Sequence, residues 1–399
     1  MPTKHVLNLH DVSNIWKVPL VMEAQGAHES ICAQLQLPGA DRMNLSHWKT
    51  TLADRWDNLE SSLTIAMVGK YTGLSDAYLS VIKALQHACL AVNRRLDLAW
   101  VDAEKLEDGA KADDPDAWAA AHATLATAHG ILVPGGFGSR GVEGKILAAK
   151  YAREAGKPYL GICLGMQLAV VEFARHVLGL ADANSAEFDG ATPHPAVVFM
   201  PEGSTTHKGG TMRLGARRTV LETVDCISAK LYQAEQYVNE RHRHRYEVNP
   251  TLVPDLEAKG LKFVGKDETG QRMEIVELQV RERGEQERGW RWVRGAPPSR
   301  LLPPSPSSHS LHSLSLSQPF HRHHHQGHPF FVAAQFHPEF KSRPNKPSPL
   351  FLGLVLAASG KLDNWLSGNP LSPAPVPAGK RARVSGGAKG KPLKENTST

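Results

Sequence analysis

The residues able to do chemistry begin with a cysteine held between two glycines. In "YLGICLGMQLAVVEFA" (residues 159–174), Cys163 stands between Gly161 and Gly165, where a short apolar run meets a helical pattern. G-x-C-x-G in that setting is the sulfur counterpart of a nucleophile elbow. The strained turn needs small neighbours, and it sets the sulfur at a helix N-terminus, where the dipole favours thiolate over thiol. Such activation matters because a free thiol with a pKa of about 8.5 is only slightly ionised at neutral pH. Taken alone, the same pattern also describes a small buried cysteine packed against its glycines.

A base and its orienter appear late in the chain. "QFHPEF" places His337 two residues before Glu339. In an extended segment the two point to one side, and Pro338 between them marks a turn or a strand end. The carboxylate can then hold one imidazole nitrogen while the other faces a thiol, as in a nucleophile–base–orienter triad. On its own the segment reads equally as a surface turn. The third part is "PGGFGSRG" (134–141), a glycine-rich turn whose backbone N–H groups can donate to an oxyanion. By itself it is a tight turn. All three parts in one α/β chain point to thiol-based acyl transfer.

Positioning them requires strand ends. "LTIAMVGKY", "DLAWVDA", "GILVPGG" and "KPYLGI" are short apolar runs closing on glycine, acidic or cysteine-bearing turns. Between them lie helical patterns over 75–92, 116–129, 142–156 and 164–178. Strand alternating with helix predicts an α/β fold: an open, mostly parallel sheet with helices on both faces, its chemistry gathered at the carboxyl ends of the strands. Residues 1–50 offer one strand-like piece and one or two helical pieces, too little to bury a core alone. Residues 279–327 contain "APPSRLLPPSPSSHSLHSLSLSQPFHRHHHQG", a Pro/Ser/His-biased run that cannot pack. It separates two strand-like pieces, "RMEIVEL" and "HPFFVAAQFHPEF". Residues 368–399 read as a disordered basic tail.

The chain has 399 residues, is 41% hydrophobic and carries a formal charge of +6. No apolar stretch reaches the about 20 residues of a membrane helix, and the opening residues lack the layout of a secretory signal. Four scattered cysteines suit a reducing cytosol and argue against a disulfide or zinc framework. The basic surplus collects in the tail and in 281–300 rather than on one folded face, so neither nucleic acid nor membrane is an expected partner. "HRHHH" lacks companion ligands, and no metal site is expected.

"ILVPGGFG", "GICLGMQ" and "QFHPEF" together resemble the class I glutamine amidotransferases, flavodoxin-like proteins whose Cys-His-Glu triad releases ammonia from glutamine. "VGKYTGLSDAY", "NSAEF", "GGTMRLG" and "ERHRHRYEVN" are similar to the glutaminase half of the CTP synthase family, and "HDVSNIWKVPLVMEAQG" resembles the last stretch of that family's synthetase (amidoligase) half. The resemblance implies Cys163 as nucleophile, His337 as base and Glu339 as its orienter, with the N–H groups of Gly136 and Leu164 as oxyanion donors. It implies that glutamine is held along Gly136, Leu164, Gly165, Met166 and Gln167, with Glu187 and Arg245 taking its ammonium and carboxylate. Anionic and cationic anchors suit a zwitterion. Thr211, Met212, Arg213, Leu214 and Gly215 fall in a mobile lid tied to activation by GTP. The implied domains are a synthetase remnant and linker over 1–50 and an amidotransferase domain over 60–278 and 328–362. The low-complexity insert 279–327 and the tail 368–399 lie outside both.

Whole family members use ATP, Mg2+ and UTP, with GTP as activator, in the cytoplasm, and assemble as homo-oligomers. This chain has no G-x-x-x-x-G-K-[ST] and nothing like the rest of the synthetase half. Alone it is expected to hold no such cofactor, to be limited to hydrolysing L-glutamine, to need a separate synthetase domain as partner, and to oligomerise weakly. The insert reads like translated non-coding sequence, with a lineage-specific loop as the alternative. Another class I amidotransferase, a γ-glutamyl hydrolase or an inert assembly fragment are the competing readings.

Overall fold

The apolar runs form strands because both their faces are covered. In the computed structural model, which describes residues 2–39, 44–200, 212–278 and 328–368, twelve strands follow in chain order. They are β1 (Ser61–Gly69), β2 (Arg94–Asp102), β3 (Gly130–Val133), β4 (Tyr159–Ile162), β5 (Asn184–Ser185), β6 (Pro195–Phe199), β7 (Arg213–Leu221), β8 (Tyr237–His244), β9 (Tyr246–Val248), β10 (Leu261–Asp267), β11 (Met273–Leu278) and β12 (Phe331–Ala334). Among the described residues nine of them make one sheet in the order β2-β1-β3-β4-β12-β11-β10-β7-β8. The first five run parallel, and the four from β11 to β8 continue it antiparallel. Strands β5, β6 and β9 make a separate small sheet.

Every residue of β3, β4 and β12 is buried, as parallel strands covered by helices on both faces require. Helices Pro115–Thr127, Val142–Ala155 and Leu164–His176 pack Leu125, Ile146 and Phe173 onto one face. Helices Leu79–Val92 and Pro349–Ala358 pack Leu85 and Leu354 onto the other. The strand and helix expectations for 63–178 hold. The helix over 115–127 starts where Pro115 occupies the first turn and the Asp114 carboxylate accepts from the Ala117 N–H.

Two elements differ from the sequence reading. The strand-like "HVLNL" (5–9) is not a strand; the Asn8 N–H and C=O pair instead with the Gln25 side-chain amide, which removes the edge a partner strand would use. The opening segment is held through Trp16, which meets Trp48, Trp56 and His87 beside the buried Leu52 and Leu90. The basic run "RHRHR" enters β8 with its first four residues, where burial alternates: Glu240, His242 and His244 face inward while Arg241 and Arg243 face out. Residues 279–327 and 369–399, the insert and nearly all of the tail, lie outside the described residues, as does Thr211.

Candidate active site

β3, β4 and β12 are adjacent and parallel, so the chain leaves all three at one edge of the sheet. Just past those ends come Gly135-Gly136, Cys163 and His337. A single edge therefore collects residues that lie far apart in sequence.

Cys163 joins β4 to the helix Leu164–His176 with φ 53° and ψ −104°. That backbone is strained for any residue with a side chain, at a cost of about 1–3 kcal/mol, and it survives only where its surroundings impose it. Here the Cys163 N–H donates to the Ala334 carbonyl at 2.7 Å, and the Cys163 carbonyl accepts from the N–H groups of Met166 (3.1 Å) and Gln167 (3.2 Å). Both flanking glycines are demanded by contact. A Cβ on Gly165 would lie 2.1 Å from the Val133 carbonyl oxygen, and one on Gly161 would lie 2.7 Å from the Gly165 carbonyl oxygen.

His337 is anchored by its N–H, which donates to the Arg241 carbonyl at 2.8 Å. Its Nδ1 lies 2.8 Å from Glu339 Oε1, across the turn Pro338–Lys341 that Pro338 opens. The Cys163 side chain is its other hydrogen-bond partner. A Cβ on Gly135 would meet His337 Cε1 at 2.9 Å and Cys163 Cβ at 3.3 Å, so the three residues converge on one point. Burial by itself lowers the His337 pKa. Its hydrogen bonds to Cys163 and Glu339, with the charges of both, outweigh that and push it up to about 10. Sulfur, imidazole and carboxylate are thus neighbours, with Cys163 and Glu339 both buried.

Gly136 and Leu164 border this point. Among the described residues neither backbone N–H makes a hydrogen bond, which leaves both free to meet an oxygen. Gln167 is engaged: its Nε2 donates to the Tyr246 carbonyl (2.8 Å) and to Gln335 Oε1 (3.1 Å). Met166 is fully buried, and Gly165 lies against Val133. Burial raises the Glu187 pKa, opposed by the charges of Arg245 and Lys70, so these three share one field. Arg245 sits where β8 passes to β9, with its Nε buried and unpartnered among the described residues. The expected lid divides: Met212 precedes β7, while Arg213, Leu214 and Gly215 are the first rungs of the β7–β8 ladder, opposite His244, Arg243 and His242. Arg213 also pairs with the buried Glu274 at 2.8 Å.

Sequence reading missed two residues. Gln335, directly after β12, is 1% exposed and donates from Nε2 to Cys163 Sγ at 3.7 Å. A lone amide closing the apolar run "FFVAA" was its only signal. Lys145 is fully buried on the helix Val142–Ala155. It occupies the stripe of Val142, Ile146, Ala149 and Ala152, where a lysine is out of place.

The description of the family Glutamine amidotransferase class-I matches residues 74–284, and the chain belongs to that family. Among curated relatives it is 48% identical over 373 residues to CTP synthase 2 of Xenopus laevis and 47% identical over 373 residues to CTP synthase 1 of Homo sapiens. These alignments take in 93% of this chain but 56% and 55% of those proteins, so the chain spans little more than half their length. Among solved structures it is similar to the glutaminase domain of Trypanosoma brucei CTPS with bound acivicin. That likeness has 37% identity and a TM-score of 0.57, covering 75% of this chain and 95% of that one.

Proposed function

We propose that this chain is the glutaminase portion of a CTP synthase, releasing ammonia from L-glutamine through Cys163, His337 and Glu339. The observation that carries the reading is the convergence of a strained, buried cysteine, a carboxylate-bound imidazole and two unpaired backbone N–H groups on one sheet edge. In the reaction Cys163 Sγ, its proton passed to His337, attacks the glutamine carboxamide carbon. A C–S bond forms and the carbonyl electron pair moves to oxygen, where the Gly136 and Leu164 N–H groups receive it. Collapse breaks the C–N bond, and the leaving amine takes the His337 proton and departs as ammonia, leaving a thioester. A water, deprotonated by His337, then attacks the thioester to give glutamate and restore the thiol. Glu339 holds Nδ1 throughout, so that Nε2 faces the sulfur.

Glu187 and Arg245 take the ammonium and carboxylate of the substrate, and Gln167 lines its side. In the whole enzyme the ammonia would aminate UTP to CTP with ATP and Mg2+ in a synthetase domain, of which residues 1–50 are the closing stretch. GTP would act through the segment 211–215. On this reading the chain's own share of the reaction is glutamine hydrolysis.

The test is ammonia release from glutamine by the 399-residue chain and by Cys163→Ser. Loss of turnover with an unchanged circular dichroism spectrum is expected. Equal turnover with serine at 163 would remove the nucleophile from this reading.

A further inference from the structure

We propose that Lys145 is a positioning residue of this site: its ammonium lies behind the Gly136 loop as a fixed positive charge whose counter-charge is the negative charge gathered on Cys163 and on the oxyanion during reaction. The proposal rests on the glutaminase reading above.

Three observations carry it. The Lys145 side chain is 0% exposed, and its Nζ has no hydrogen-bond partner among the described residues. Its place is specific: a Cβ on Gly136 would lie 3.8 Å from Lys145 Nζ, so the ammonium borders the Gly136 turn. Among the described residues it has no carboxylate partner, and the charges that act on it are those of Lys70, Arg140 and Cys163. A buried charge without a partner is costly and is normally paired or removed. One that meets its counter-charge only as the reaction proceeds is a preorganised electrostatic contribution to the transition state.

The groups facing it agree with this. Burial, then Lys70 from the end of β1 and Arg140 from the loop before its helix, lower the Lys145 pKa to about 8, and the charge of Cys163 raises it. The ammonium is therefore present at neutral pH and lost as pH rises through about 8. His337, on the far side of the sulfur chemistry, titrates higher and is common to every variant below.

The experiment uses the full chain with Lys145→Met, close in shape and uncharged, and Lys145→Gln, polar and uncharged. Two quantities are measured: steady-state glutamine hydrolysis against pH, and the rate at which iodoacetamide alkylates Cys163. The expected result is a fall in kcat of about 10- to 100-fold with KM within about twofold of wild type. Slower alkylation at neutral pH is expected as well, with loss of the decline in kcat/KM that wild type shows above about pH 8. The Met variant should unfold at the wild-type temperature or above, because it removes an unpaired buried charge. Wild-type alkylation rates and an unchanged pH profile in either folded variant would overturn the proposal, as would failure of both variants to fold. If wild type alkylates at Cys163 yet releases no ammonia, the glutaminase reading fails, and the alkylation comparison alone decides the role of Lys145.

Discussion

Glu240, whose ionisation feels the charge of Glu339, gives a prediction whose size follows from its surroundings. It faces inward from β8, 2% exposed; Oε1 accepts from the Tyr232 hydroxyl at 3.0 Å, and Oε2 has no partner among the described residues. Burial raises its pKa, and the charge of Glu339 adds to this. Lys341 and the Tyr232 hydrogen bond oppose, and the result is a rise from 4.5 to about 7. The folded state thus holds this proton more tightly than the unfolded state. The stability it contributes is complete below about pH 4.5 and is lost as pH rises through about 7. At about 1.4 kcal/mol per unit, that loss amounts to about 3 kcal/mol. Glu240→Gln keeps the shape of the protonated acid and cannot ionise. Urea unfolding of both proteins near pH 4.5 and near pH 8 should therefore show the variant gaining about 2–3 kcal/mol on wild type across the interval. Taking the difference between the two proteins cancels His337, whose stabilising contribution is complete below about pH 6.5 and is lost as pH rises from there through about 10. A stability difference that does not change with pH would refute the argument, because it would mean that Glu240 ionises in place without penalty.

Two further outcomes follow from contacts at the site. Glu339→Gln removes the charge beside Nδ1 that helps to hold His337 protonated; the His337 pKa should fall, with kcat for glutamine hydrolysis down by about 10²–10⁴-fold and KM little changed, as read from pH–rate profiles. Gly165→Ala drives a methyl to 2.1 Å from the Val133 carbonyl, where no flexible atom can yield. It should cost about 3 kcal/mol or more in urea unfolding and abolish turnover, whereas Gly109→Ala, exposed and with nothing within 4 Å, should be neutral or slightly stabilising.

Most of the parallel half of the sheet was legible because its strands are apolar runs closing on glycine, acidic or cysteine-bearing turns. Of the antiparallel wing β11 was legible as "RMEIVEL", whereas β8 was not, for reasons visible in its residues. β8 reads Tyr-Val-Asn-Glu-Arg-His-Arg-His, and its buried set is Val238, Glu240, His242 and His244. Three of those four are polar, so the alternation is real but carries no hydrophobic signal. The buried histidines are tolerated through contacts no local pattern reveals: His242 Nδ1 meets His244 Nε2 at 3.1 Å, and His244 Nδ1 meets the Tyr246 carbonyl at 3.1 Å. Burial keeps both rings neutral by lowering their pKa values. "HVLNL" failed in the opposite direction, an apolar alternation with no strand beside it.

The site shows the same division between local and tertiary information. Cys163 and its glycines were readable because the elbow is local: the contacts that exclude a Cβ at 161 and 165 come from the turn itself and the neighbouring strand. His337 and Glu339 were readable as a pair because only Pro338 separates them. What the sequence does not contain is the neighbour order β3-β4-β12, and that order is what brings these pieces to one sheet edge. In a parallel sheet any residue that follows a strand is a candidate, and adjacency decides which candidates meet. Gln335 and Lys145 are the proof by contrast. Each is polar at a position that local pattern assigns to the core, and each becomes intelligible only when β12 and the helix Val142–Ala155 are set around the sulfur. A polar residue that breaks an apolar stripe within a few residues of a strand's carboxyl end, or on the helix that follows one, is therefore the signal most worth reading in such a chain.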